Sequence, residues 1–256
     1  MVDGDYWAAR VRRYGHTGWS DCATYWYDQY LRLQAIEQTV LGTGLRGRRS
    51  ALDFGCGVGD FCRLLARHFR SVAGYDVSAD VLEIARQQNP GAHIIYSTQL
   101  DAALAGSHDL ILSVTVLQHI VNDAELGLLL ARMAQALAAG GRVVVMETLA
   151  ETPSHAGYLC RRTLAQLKGL FEAAGLVLVS TRGFYHPTEC PTPGYRRYRS
   201  RWSVRVLGRL AGLKLPWAEA VLRRVAHRHA EQDHAFLDLP ASPTQILVFR
   251  RKGEPA

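Results

Sequence analysis

The loop Asp53-Phe54-Gly55-Cys56-Gly57-Val58-Gly59-Asp60 carries the densest chemical signal in the 256-residue sequence. Glycines on alternate positions let a backbone turn sharply and approach a ligand closely, with free amides where a helix begins. The spacing is G-x-G-x-G; the dinucleotide fingerprint G-x-G-x-x-G needs a glycine where this chain has Asp60. Carboxylates on both sides, Asp53 and Asp60, would repel a pyrophosphate and suit a ligand that bears an ammonium and a sulfonium. Asp76 follows Gly55 by 21 residues, where a strand-end carboxylate accepts hydrogen bonds from both hydroxyls of a ribose.

These residues need a scaffold of alternating strands and helices, and the chain supplies one. SALDF (50–54), SVAGYD (71–76), AHIIY (92–96), HDLILSV (108–114) and GGRVVVME (140–147) read as short buried strands. Between them VGDFCRLLARHF, SADVLEIARQQN and NDAELGLLLARMAQALAAG carry helical periodicity, with Ser78 and Asn122 as N-caps and Gly140 as a C-terminal stop. Strand, helix, strand at this cadence predicts a parallel sheet covered by helices on both faces. A helix over 161–175, a strand over 175–184 and a late strand TQILVFRR (244–251) follow. The late strand makes 185–243 an insertion rather than a separate domain.

The run LDFGCGVGDFCRLLA, with GYDVSADVLEIAR, DLILSVTVLQHI and GGRVVVMET, resembles the class I S-adenosylmethionine (SAM) dependent methyltransferases. The resemblance implies an α/β fold with a Rossmann-like, seven-stranded, mostly parallel sheet whose last strand runs antiparallel. It implies SAM as cofactor and S-adenosylhomocysteine (SAH) as product. Carried over by position, Asp53, Gly55, Cys56, Gly57 and Gly59 surround the methionine part, Asp76 with Val77 holds ribose and adenine, and Ser113 closes the site after the fourth strand. Relatives often place an acidic residue after the third strand for the adenine amino group. This chain has Ser97, Thr98 and Gln99 there, and Thr98 is taken as the nearest substitute. The expected organisation is a helical, aromatic lid (1–47), a SAM-binding core (48–184), a basic helical insertion (185–243) and the last strand with its tail (244–256).

Methyl transfer is an in-line displacement that needs an acceptor lone pair held near the methyl carbon, and a hydroxyl acceptor also needs help losing its proton. His119 and Glu147, beyond the ends of the fourth and fifth strands, are base candidates; helix packing for the histidine and a solvated ion pair for the glutamate are the structural alternatives. The joint YGHTGWSDCATYWYDQY adds His16 as a third base candidate, and Tyr14, Trp19 and Tyr25 as acceptor-side surfaces that exclude water. Packing of an N-terminal helical pair onto the sheet is the competing explanation for those aromatics.

The formal net charge of +7 is not spread evenly. Between Tyr195 and His229 stand ten basic residues and one acid, Glu219, whereas the rest of the chain has 20 basic and 22 acidic residues. Trp202, Val206, Leu210 and Leu213, then Trp217, Val221, Leu222 and Val225, recur at helical spacing and predict two amphipathic helices broken at Pro216, their apolar faces inward. Tyr185, Arg196 and Arg197 are the expected acceptor contacts from this insertion. Its charge favours a small anionic molecule or saccharide as acceptor, over a membrane-presented lipid and over RNA. A SAM-binding protein without turnover is the rival from another class.

His227, His229 and His234 lack chelate spacing on a helix, so no metal is expected. The five scattered cysteines read as reduced thiols. No apolar run reaches transmembrane length and the N-terminal residues lack a signal-peptide h-region, which points to the cytoplasm. The sequence leaves oligomeric state open.

Overall fold

The computed structural model describes residues 4–254. The expected segments 1–47 and 244–256 therefore extend at their outer ends, 1–3 and 255–256, outside the described residues. In chain order the elements are α1 (Gly4–Tyr14), α2 (Cys22–Gly42), β1 (Ser50–Phe54), α3 (Asp60–Leu65), β2 (Ser71–Tyr75), α4 (Ala79–Gln88), β3 (Ile94–Ser97), α5 (Leu100–Ala103) and β4 (His108–Val114). A 3-10 turn (Leu117–His119), α6 (Asp123–Ala136), β5 (Leu137–Thr148), β6 (Ser154–Ala156), β7 (Leu159–Arg161), α7 (Leu164–Ala173) and β8 (Leu176–Phe184) follow. The chain then forms α8 (Pro193–Ser200), α9 (Trp202–Gly212), α10 (Pro216–Glu231) and β9 (Thr244–Arg251).

The sheet is seven-stranded in the order β3-β2-β1-β4-β5-β9-β8. Strands β1 to β5 pair in parallel, and β9 inserts antiparallel between β5 and β8. Alternate residues of the buried strands feed two cores. Ala51, Leu110, Leu112, Val144 and Met146 face one side, where α2, α3 and the α8–α10 group pack. Leu52, Phe54, Ile111, Val143 and Val145 face the other, with Leu130 and Met133 of α6 and Phe171 of α7. Phe171 stacks on Phe249 of β9 with centroids 3.8 Å apart, which ties the late strand to α7.

Caps explain several boundaries. Asn122 accepts from the amides of Ala124 and Glu125, and Ser78 from that of Val81, as their positions predict. The helix expected from 161 starts later because Thr163 and Gln166 form a reciprocal capping box, while Leu159–Arg161 pairs with Ser154–Ala156 in a small hairpin that periodicity did not reveal. Gly140 does not stop a helix. It lies inside β5 at φ 75°, where the β4–β5 register shifts, and α6 has already ended at Ala136.

The insertion departs most from expectation. It holds three helices, because Thr192 caps and Pro193 opens a separate α8 before α9. Pro216 then starts α10 rather than breaking a longer helix. Leu222 of α10 is buried as expected and Val225 packs against the same core, but the rest of the inward faces is Val204 and Ala211 of α9 and Ala218, Ala226 and Ala230 of α10. Small residues let α10 approach α2 closely, and Gly208 of α9 lies against Ala23 of α2. The bulky Trp202, Leu213, Trp217 and Val221 point outward.

Candidate active site

The turn from β1 into α3 bends back over the end of β2. The amides of Gly55 and Cys56 both donate to the carbonyl of Tyr75, at 2.7 and 2.8 Å. Gly55 adopts φ 76°, and a Cβ there would sit 2.3 Å from a Val116 methyl. Only glycine meets both demands. Asp76 lies beneath: one carboxylate oxygen accepts from the amide of Gly57 at 3.1 Å, the other from that of Ser78 at 3.0 Å. Each oxygen keeps a lone pair for a further donor. Burial raises the Asp76 carboxyl above its usual range, and the surrounding amides oppose that rise.

A cavity of about 410 Å³ opens over this turn. Gly55, Cys56, Gly57, Asp76 and Val77 line one part of it. Trp7 and Arg10 of α1, with Thr17 and Trp19 of the joint, line the side that α1 and α2 contribute. Asp60 ties the two together, accepting from Gln29 at 2.9 Å, Tyr25 at 3.4 Å and Asn89 at 3.2 Å.

Asp53 and Gly59 lie outside the lining. Gly59 is the left-handed residue that begins α3, at φ 87°. Asp53 is buried beneath the turn, accepts from the Cys62 thiol at 3.3 Å, and is pushed up to about 7 by burial and by the neighbouring Asp76 and Asp60 charges. Thr98 and Ser113 do not reach the cavity either: Thr98 follows β3, and Ser113 is fully buried within β4.

The rest of the lining is built by residues distant in sequence. His119 is part of it, with Trp7 and Tyr158 against its ring at 4.9 and 5.5 Å. Its Nδ1 lies 3.3 Å from the Tyr158 carbonyl, which can only accept. That contact places the neutral ring's proton on Nδ1 and leaves a lone pair on Nε2. Burial, joined by the Arg10 charge and opposed by the Tyr158 contact, lowers the pKa of His119.

Glu147 takes another part. Its carboxylate is buried outside the cavity and accepts from the amides of Val116 (3.0 Å), Leu117 (2.8 Å) and Gln118 (3.3 Å). Burial pushes it up to about 7 against those three bonds and the Arg162 charge. Arg162 donates to the carbonyls of Leu117 and Ile120. Together they pin the segment that carries His119.

Of the remaining expected contacts, Trp19 and Tyr25 line the cavity. His16 does not; it is buried with its ring stacked on Tyr25, both nitrogens lack partners, and burial with the Arg10 charge lowers it to about 3. Tyr14 lies under the guanidinium groups of Arg10 and Arg13, and Tyr185 is wholly buried, so neither lines the cavity. Arg196 and Arg197 are exposed on α8, again outside the lining. The histidines of α10 make ring contacts, His227 with Tyr30 and His229 with Tyr198.

Sequence reading missed a polar group in the lining. Arg32 donates through Nε to Asp28 at 2.5 Å, and Asp28 also accepts from the Trp19 indole at 2.7 Å. The other Asp28 oxygen is buried with no hydrogen-bond partner among the described residues. Arg161 and His186 complete the wall. The amides of Thr188 and Glu189 donate to His186 Nδ1, so its ring proton sits on Nε2. An i,i+4 charge pair on an otherwise aromatic helix was the one signal available, for Asp28 and Arg32.

A family model described as a methyltransferase domain matches residues 25–181. The chain is 36% identical over 97 residues to a dTDP-3-amino-3,6-dideoxy-alpha-D-glucopyranose N,N-dimethyltransferase of Streptomyces fradiae, a match covering 38% of each chain. It is also 36% identical over 99 residues to a ubiquinone biosynthesis O-methyltransferase of Chelativorans sp., covering 37% of this chain and 38% of that one. The matches thus span well under half the length of these relatives. Among solved structures, DesVI of Streptomyces venezuelae superposes with a TM-score of 0.51 at 20% identity, covering 64% of this chain and 88% of that one. A Mesorhizobium loti S-adenosylmethionine dependent methyltransferase gives 0.50 at 21% identity, covering 85% and 96%. At such identities these superpositions speak for the fold. The glycine turn, the Asp76 carboxylate and the sheet order agree with the family match, and the chain belongs to the methyltransferase-domain family, whose cofactor is SAM and whose spent cofactor is SAH.

Proposed function

We propose that this protein transfers the methyl group of SAM to a nitrogen or oxygen of a small anionic acceptor, with the reacting part of the acceptor enclosed in the 410 Å³ cavity. The observation that carries this reading is the polarity of the cavity: carboxylates Asp76 and Asp60 line the cofactor side, whereas Arg10, Arg32 and Arg161 line the rest, Arg32 paired with Asp28 in the lining and Arg161 with Glu189 outside it at 3.2 Å. A positive acceptor end attracts a carboxylate or phosphate. SAM, when bound, supplies an electrophilic methyl group on a sulfonium.

The chain's own residues do the rest. Gly55 and Gly57 let the backbone approach the cofactor, Asp76 accepts from the ribose hydroxyls, and Trp7, Trp19 and Tyr25 exclude water. His119 accepts the acceptor's proton at Nε2, and His186 and Arg161 orient its anionic group. Glu147 acts as a positioning residue for His119. The aromatic N-terminal segment serves as the lid, and the arginines of the insertion lie apart from the acceptor pocket.

The S. fradiae relative is named for a nucleotide-linked amino sugar, an anionic small molecule, and this supports the acceptor class. The Chelativorans relative is named for O-methylation, which keeps oxygen beside nitrogen. The test is incubation with labelled SAM and a panel of nucleotide amino sugars and phenolic acids. Label transfer to an anionic member, with a raised KM in Arg161→Gln, is expected; transfer only to neutral or cationic members would overturn the acceptor class.

A further inference from the structure

The outward face of the α9–α10 hairpin has no role in the cavity. Trp202 at the start of α9 and Leu213 just past its end are 73% and 71% exposed, and Arg205 and Arg209 lie between them on the same helical face. On α10, Trp217 is 57% and Val221 39% exposed, with Arg224 and Arg228 beside them. Both helices pack on α2 through their opposite sides, so these two faces look the same way. Tryptophans left in water beside arginines are what an interface between water and hydrocarbon accommodates: rings enter the headgroup layer while guanidinium groups stay at phosphate level.

The charges are equally unspent. Arg197, Arg201, Arg205, Arg209, Arg224 and Arg228 are exposed and make no ion pair among the described residues, in contrast to Arg199, which pairs with Asp21. We infer that this hairpin is a peripheral docking surface for an anionic lipid bilayer. RNA fits the arginines but not Leu213 and Val221, because aliphatic side chains offer nothing for a base to stack on and gain most in hydrocarbon. The hairpin tip also touches α1, where the Lys214 ammonium donates to the Arg12 carbonyl at 3.2 Å. A docked hairpin would thus sit beside a helix that lines the cavity.

The inference does not depend on the acceptor or on turnover. Its test is co-sedimentation of the full chain with vesicles of phosphatidylglycerol and phosphatidylcholine in equal parts, against phosphatidylcholine alone, at about 0.1 M salt. Binding to the anionic vesicles alone is expected. It should fall about tenfold or more in Arg205→Gln/Arg209→Gln/Arg224→Gln and in Trp202→Ser/Trp217→Ser, with SAH affinity by calorimetry unchanged. The proposal is overturned by absence of binding to anionic vesicles, or by binding indifferent to the tryptophan pair. It is also overturned if those variants lose only affinity for single-stranded RNA, or only self-association by sedimentation velocity. Failure of the methyl-transfer reading would show instead as no SAH binding in the parent.

Discussion

His119 is tied to Tyr158 twice, by the 3.3 Å contact between Nδ1 and the Tyr158 carbonyl and by a near-parallel ring contact at 5.5 Å. The first fixes the tautomer and the second the plane of the ring. A strand end and a small hairpin therefore hold one imidazole with its basic nitrogen unengaged by Tyr158.

Replacing His119 with Ala should lower kcat about 10²- to 10⁴-fold on a hydroxyl acceptor while leaving SAH affinity near that of the parent, as steady-state kinetics and calorimetry would report. Because burial lowers this histidine's pKa, the neutral base persists below the usual imidazole range. The acid limb of kcat/KM in the parent should accordingly lie below about pH 6.5. An acid limb above that value, or one unchanged in His119→Gln, would remove His119 from the proton path.

Asp76 carries the cofactor prediction. A carboxylate accepting from two ribose hydroxyls makes charge-assisted bonds, so Asp76→Ala should weaken SAH binding by about 10- to 100-fold in calorimetry. Asp76→Asn, which keeps one acceptor and can no longer take both the Gly57 and Ser78 amides, should fall between. Equal affinity in all three proteins would place the ribose elsewhere.

The strands were legible because doubly buried strands are short apolar runs between turn residues, and SALDF, HDLILSV and TQILVFRR form strands over the residues expected. The glycine turn was legible for the same local reason. The wall proposed for the acceptor was not, because Asp28, Arg161 and His186 come from α2, β7 and the segment after β8, and no short pattern joins them. The faces of α9 and α10 misled for a physical reason. Their largest apolar residues invited an inward reading, whereas close approach to α2 selects Ala218, Ala226 and Ala230.

Glu147→Ala should separate positioning from chemistry. It leaves the amides of Val116, Leu117 and Gln118 without their acceptor, which costs about 3 kcal/mol or more of stability in urea denaturation. Glu147→Gln retains an acceptor oxygen and should recover part of that loss. If Glu147 acts through the segment bearing His119, kcat should drop in Glu147→Gln with the KM for SAM nearly constant; an unchanged kcat would confine Glu147 to folding.

Asp53 gives the pH dependence of stability. Its carboxyl is pushed up to about 7 in the folded chain, from an unfolded value of 3.8, chiefly by burial. The folded state thus holds its proton more tightly than the unfolded state, and stability falls with pH where only the folded state is protonated. The contribution is fully present below about pH 3.8 and is lost as the pH rises through about 7. Asp53→Asn cannot ionise, so between about pH 5 and about pH 8 its urea midpoint should fall less, or rise more, than the parent's. The remaining slope then combines Glu147, raised from 4.5 to about 7, and Asp76, also raised, with the opposite contribution of His16, lowered to about 3, and the midpoint of the Asp53→Asn/Glu147→Gln double variant should fall less still. Parallel slopes in the parent and in Asp53→Asn across this window would mean that Asp53 is ionised in the folded protein and that the Cys62 thiol, at 3.3 Å, outweighs its burial.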